Sequence, residues 1–197
     1  ILQLPKIIPT HFDINWICDG VGSRWTGMLT AVLPLVFCIF APLIRKHSRK
    51  ENEKYSSITQ LAFIIYFIVL HWNVLSTMQS GIQIGEQLES GSFIWIIFGS
   101  LSLLYIVMGN YMPVIQQNHF LGLRIKWTLE NEACWRVTHR FAGKLFVIFG
   151  ICSMLLLLLG MFLDISINSS SVILFLMLCI PLVWACCYAY QHRNDKD

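Results

Sequence analysis

Charge is what this 197-residue chain has least of. Asp, Glu, Lys and Arg make up 13% of it, against roughly 25% in soluble domains. With 56% hydrophobic residues and a mean hydropathy of +0.63, that scarcity excludes a water-soluble globular fold. The long apolar stretches hold no Asp, Glu, Lys or Arg at all, so the buried ionic relay of a proton- or ion-coupled transporter is missing. Also absent are H-E-x-x-H, G-x-S-x-G and P-loop patterns, which leaves catalysis without a signature. Cysteine is present seven times but never as a C-x-x-C pair. Cys38, Cys152, Cys179, Cys186 and Cys187 sit in apolar stretches as small hydrophobes, and Cys18 and Cys134 fall in different loops. A disulfide framework, a structural zinc site and a redox pair are excluded on that pattern, and neither a metal nor any other cofactor is expected.

What is present is membrane length. Crossing a hydrocarbon core of ~30 Å takes ~20 apolar residues in a helix, and runs 25–44, 58–77, 93–112, 145–163 and 172–190 qualify. Lipid offers the backbone no other hydrogen-bond partner, so these runs read as helices. The expected fold is an all-α integral membrane protein with five visible transmembrane helices. Ile1, Leu2, Gln3 and Leu4 look like the tail of another span, giving six helices in a full-length chain; a short disordered tail is the alternative. The expected units are 1–24, an extracytoplasmic loop module; 25–112, a three-helix membrane segment; 113–144, a cytoplasmic loop and amphipathic helix; and 145–197, two helices with a cytoplasmic tail.

Lys and Arg orient these helices. The loop after the first run holds Arg45, Lys46, Arg49, Lys50 and Lys54. The long polar run between the third and fourth holds Arg124, Lys126, Arg136, Arg140 and Lys144, and the tail holds Arg193 and Lys196. Segments 78–92 and 164–171 hold none, the former carrying Glu86 and Glu89, and the N-terminal segment has only Lys6 and Arg24. The N-terminal segment is therefore expected outside and the C-terminus in the cytoplasm. His71 is the one titratable histidine at depth. Trp72 beside it favours an interfacial anchor over a proton-handling group.

In residues 1–24, Pro5 and Pro9 forbid a regular helix. Thr10, Phe12 and Ile14 alternate as a short extended stretch, Asp19 to Gly22 is turn chemistry, and Ser23 caps the helix anchored by Trp25. His11, Asp13 and Asp19 are the cation ligands on offer, but their irregular spacing favours a hydrogen-bonded loop. His11, Phe12, Asp13 and Asp19 are the outer candidates for ligand contact.

The run from Gly109 to Lys144 is the least generic part of the chain. Asn110 and Pro113 end the third helix, and Thr128 is the expected N-cap of the next, with Glu130 and Glu132 in its first turn. Glu132, Arg136, Arg140 and Lys144 recur every fourth residue as one charged stripe, fit to orient the protein at anionic head groups. Trp127, Trp135, His119 and His139 point to a folded loop with internal polar contacts. Glu132 and His139, two helical turns apart, are too distant for a direct acid/base pair.

Residues Gly109 to Pro113, then Asn118, Phe120, Gly122 and Arg124, Trp127 and Thr128, and Trp135, Arg136, Thr138, His139, Arg140, Gly143 and Lys144 resemble the signature of the bacterial SdpI family of membrane immunity proteins. Leu4, Pro5, Ile8, Pro9, His11, Phe12, Asp19, Gly20, Gly22 and Ser23 resemble the extracytoplasmic module that commonly precedes it. The family usually has proline at the place of Gln117, Thr-Pro at Ile125 and Lys126, and glycine at Trp16. The resemblance implies a protein of the bacterial plasma membrane that protects its cell from a secreted peptide toxin. For some members it implies a signal-transducing receptor that recruits a cytoplasmic transcriptional repressor. Membrane lipids are the remaining expected partner, and no direct nucleic-acid contact is expected. A small exporter and a membrane-embedded enzyme using His139, Glu132 or His11 are the alternatives.

Overall fold

The computed structural model describes residues 4–47, 52–88, 91–163 and 167–195. The upstream-span reading of Ile1, Leu2 and Gln3, and the loop charges Arg49, Lys50, Glu89 and Lys196, lie outside the described residues. Within them the chain is an all-α integral membrane protein with five helices long and apolar enough to cross a bilayer. α1 spans Leu29–His47, α2 Glu53–Gln79, α3 Gly91–Tyr111, α5 Glu132–Phe162 and α6 Ile167–Gln191; α4, Lys126–Glu130, is a single turn. α1 contains Pro34 and Pro42, and α6 contains Pro181, in keeping with the tolerance of membrane helices for internal proline.

α3, α5 and α6 form the packed half of the molecule, while α1 and α3 flank α2. At one end the core is Ile94, Phe98, Leu157, Leu174 and Leu178, all buried. Toward the other end, Met112, Ala142, Phe146 and Ala185 take over. α3 and α5 touch backbone to backbone. A Cβ added at Gly109 would lie 2.6 Å from the Gly143 carbonyl oxygen, and one at Gly143 2.7 Å from that of Gly109. Without a hydrophobic drive between helices in lipid, this close approach of small residues is what lets the pair pack.

α5 is longer than its apolar run. The expected amphipathic helix and the fourth span are one rod of 31 residues, about 46 Å long at ~1.5 Å per residue. Hydrocarbon ~30 Å thick accommodates only the apolar stretch that starts at Leu145. Glu132 to Lys144, with all its charge exposed, lies beyond it.

At the opposite end stands a β-hairpin. β1 (Ile7–Phe12) pairs antiparallel with β2 (Cys18–Ser23), with register shifts around His11. The extended stretch expected at Thr10 and Phe12 is β1. The turn expected at Asp19 to Gly22 is instead a strand, paired with β1 along its length. At its first residue the α2–α3 loop takes the other edge, through Cys18 N–H to Glu86 O and Gly85 N–H to Cys18 O. The reversal falls at Asp13–Trp16, where the Asp13 carboxylate accepts from the N–H groups of Asn15 and Ile17 at 2.8 Å each. Trp16 takes φ +60° there, the left-handed conformation that explains glycine as the family's usual residue. Pro9, which cannot donate to a ladder, lies on the edge strand. Leu4, Ile8 and Met78 bury together and seat the hairpin on α2. Ser23 caps the 3-10 turn Arg24–Met28 that leads into α1.

Candidate functional site

The inner run is a polar network built around two stacked rings. Trp135 and His139, one turn apart on α5, stack at 3.9 Å between centroids and are fully buried. The indole N–H of Trp135 donates to the Ile115 carbonyl at 2.8 Å, which fixes the chain leaving α3. His139 Nδ1 lies 2.9 Å from the Trp135 carbonyl, an acceptor only, so that nitrogen carries the proton. Nε2 is then free to accept the Leu123 N–H at 3.0 Å. Burial pushes this imidazole from its ordinary 6.5 down to about 4, the Trp135 carbonyl opposing that shift. His139 is a neutral clamp on the loop.

Gly122 makes the clamp possible. Its φ of +93° is open to glycine, and a Cβ there would lie 2.2 Å from His139 Nε2. The remaining signature residues complete the loop. Asn118 Oδ1 accepts from the N–H groups of Phe120 and Leu121 at 2.8 Å, and its amide donates to the Gln116 carbonyl. Gln116 makes a reciprocal pair with Asn52 ahead of α2, at 2.9 Å in both directions. Gln117 donates to the Thr128 and Leu129 carbonyls, tying the loop to α4 from the place where the family usually has proline. Pro113 packs its ring against Gly143, Asn110 is exposed on the last turn of α3, and Thr138 is fully buried beside Cys134.

The expected helix start at Thr128 is corrected. Thr128 is fully buried, its hydroxyl donating to the Leu123 carbonyl at 2.6 Å and accepting from the Ile125 N–H at 3.2 Å. Both roles leave it folding the turn into α4. The N-cap of α5 is Asn131, whose Oδ1 accepts from Cys134 N–H at 3.1 Å. Asn outranks Thr at this position, which was the signal in the sequence. The Asn131 amide also donates to the Arg193 and Asp195 carbonyls, so the same residue holds the C-terminal segment. Trp127 packs edge-on against Tyr190 at 5.1 Å, and Arg193 lies 4.0 Å above that ring.

Charge is displayed, not buried. Arg124, Lys126, Arg136, Arg140 and Lys144 are all exposed. Arg124 reaches the His119 carbonyl at 2.9 Å, and Arg136 is 3.5 Å from Glu132 in a half-exposed pair worth at most about 1 kcal/mol. Phe120, between His119 and Arg124 in sequence, is 39% exposed.

At the outer end the structure joins the two segments read as external. Leu88 N–H donates to the Trp16 carbonyl and the Gln87 amide to that of Asn15. Trp16 itself reaches α6, with its indole N–H 3.3 Å from Ser171 Oγ and its ring edge-on to Phe93. His11 and Asp19 pair directly across the hairpin, exposed. Asp13 is occupied by its own turn, so the three potential ligands do not converge, and among the described residues no cluster of three metal-ligating side chains exists. Phe12 points instead into an apolar cleft of about 640 Å³ beneath the hairpin. His71 accepts or donates at Thr30 Oγ1, 2.7 Å away on α1, a contact that sequence reasoning did not anticipate.

Five hydrophobic helices, a hairpin at one end and the buried Trp135–His139 clamp at the other define a multi-pass membrane protein. Residues 114–189 match the SdpI/YfhL protein family, the family whose signature the loop between α3 and α5 resembles. Over 194 residues it is 27% identical to Immunity protein SdpI of Bacillus subtilis (strain 168), covering 98% of this chain and 90% of that protein. No solved structure matches.

Proposed function

We propose that the chain is a membrane immunity protein that protects its cell from a secreted peptide toxin. The supporting observation is the near end-to-end similarity to a protein named for immunity, running through hairpin and inner clamp alike. In this reading residues 1–24, with His11, Phe12, Asp13 and Asp19, form the receiving module together with the 78–92 loop. Segments 25–112 and 145–197 are the membrane frame, and 113–144 is the inner response module. The Lys and Arg distribution supports a hairpin outside and a C-terminus in the cytoplasm. The role is binding and not catalysis: both His139 nitrogens are occupied within the chain, and Glu132 faces Arg136. Expression in a toxin-sensitive bacterium should raise survival in the presence of the toxin. No gain in survival, at verified membrane levels of the protein, rejects the proposal.

A second reading adds signalling, in which the inner module recruits a cytoplasmic repressor. It is favoured by the exposure of Arg124, Arg136, Arg140 and Lys144 beside a buried framework of Asn118, Thr128, Trp135 and His139. Reversing the charge at Arg136 and Arg140 should abolish recruitment, and leaving both recruitment and protection intact would end this reading. Anionic lipid head groups are the other partner for the stripe, at roughly 1 kcal/mol per cation.

A further inference from the structure

Beneath the hairpin lies a cleft that the exposed polar residues at this end of the protein do not mark. The cleft beneath the hairpin, about 640 Å³, falls within the ~300–1,000 Å³ of small-ligand sites. The hairpin roofs it through Thr10, Phe12 and Val21, and Leu29 of α1, Val74 and Met78 of α2 and Phe93 of α3 wall it. Its opening follows from the helix arrangement. α1 and α3 each pack on α2 and not substantially on one another, leaving a lateral gap toward the bilayer at the outer ends of the three helices.

The lining determines what fits. No charged residue contributes to it. Of its four threonines, Thr26 donates to the Ser23 carbonyl at 2.8 Å, Thr30 to the Gly27 carbonyl at 2.9 Å, and Thr77 to the Asn73 carbonyl at 3.2 Å. Asn73, at the base, donates to the Phe93 carbonyl at 2.8 Å and pins α2 to α3. Among the described residues the cleft thus offers an occupant no charge and a single uncommitted hydroxyl, Thr10. A cationic or anionic group entering it would lose hydration with nothing to replace it, whereas apolar side chains would gain roughly 25 cal/mol per Å² buried.

We propose that this cleft receives the apolar side chains of a peptide lying in the outer leaflet, entering sideways between α1 and α3. Given the immunity reading on which it rests, that peptide is the toxin, captured from the lipid phase.

Purified protein is placed in phosphatidylglycerol/phosphatidylethanolamine vesicles with a 20-residue Leu/Ala peptide carrying a benzophenone near one end. Adducts are mapped by mass spectrometry. Labelling at Leu29 and Met78 is expected to exceed that at Met161, an exposed residue on the lipid face of the same outer end of α5, by about fivefold or more. Thr10→Trp and Val21→Trp, two independent fillings of the cleft from the exposed hairpin, should each bring it down to the Met161 level. Equal labelling of cleft and Met161 in the native chain means ordinary lipid-phase collision or acyl-chain occupancy and overturns the proposal. In the survival assay, protection retained by both filled variants overturns the cleft as the toxin's seat while leaving immunity intact. Absence of protection by the native chain instead rejects the immunity reading, and the labelling ratio still decides the cleft.

Discussion

Replacing Gly122 by alanine should break the inner clamp. Two costs combine at this position. A φ of +93° strains any L side chain, by about 1–2 kcal/mol for the left-handed region. The new methyl would also sit 2.2 Å from His139 Nε2, inside any attainable contact. Either the loop or the ring must move, and the Leu123 N–H loses its buried acceptor, at about 1–3 kcal/mol. The sum is on the order of 3 kcal/mol, or more than a hundredfold in the folded-to-unfolded ratio. Gly81→Ala is the internal control: φ is +72°, but nothing lies within 4 Å of the added Cβ, so only backbone strain remains. Stability is read by SDS titration of the purified protein, with helical circular dichroism as the signal. A double-mutant cycle with His139→Ala isolates the clash, because removing the ring should make Gly122→Ala cheaper by at least 1 kcal/mol. Equal losses for Gly122→Ala and Gly81→Ala, with no coupling to His139, would refute the clamp.

Acid should open the same clamp. Above pH 6.5 the imidazole is neutral whether the protein is folded or not; below it the unfolded chain takes up a proton that buried His139 refuses until about pH 4. Stability is therefore complete above 6.5 and falls as pH drops toward 4, by about 3 kcal/mol, and His139→Gln should flatten that part of the profile in the same SDS titration. Asn131→Ala removes the α5 cap and the tie to residues 193 and 195; a loss of about 1–2 kcal/mol is expected, with faster amide exchange in the last turn of α6. Gly143→Ala must push apart the α3 and α5 backbones, costing about 1–3 kcal/mol in the same titration. Topology is tested with new cysteines at exposed Gln83 and Lys126, since native Cys134 is fully buried: a membrane-impermeant thiol reagent should label Gln83→Cys and not Lys126→Cys in intact cells.

Hydropathy and the Lys/Arg pattern made the five crossings legible, because lipid leaves so few ways to satisfy a backbone. The helical pattern that carries Glu132, Arg136 and Arg140 runs on into the fourth apolar stretch, and the structure has both on one rod; the start of that rod, at Asn131 and not Thr128, was less legible. β2 was hidden because Asp19, Gly20 and Gly22 carry turn propensity. Pairing with β1 overrides it, and the glycines give room to the cross-strand side chains of His11 and Thr10. The Asn52–Gln116 pair and the His139–Leu123 bond join residues far apart in the chain, and no local pattern encodes such partners. The signature was readable as special, but not as structural: Asn118, Gly122, Thr128, Trp135 and His139 hold the loop together, and the residues left facing water are mostly cations.

The uninterrupted run of α5 has a mechanical consequence. Unlike α1 and α6, it contains no proline, and nothing in its backbone divides the length inside the bilayer from the length outside. Pivoting such a rod by ~10° about its far end would swing Glu132 through about 8 Å, given ~1.5 Å of rise per residue. A small rearrangement where Leu157 meets Ile94 and Leu174 would thus arrive, magnified, at the cationic tip, as a lever turns a short stroke into a long one.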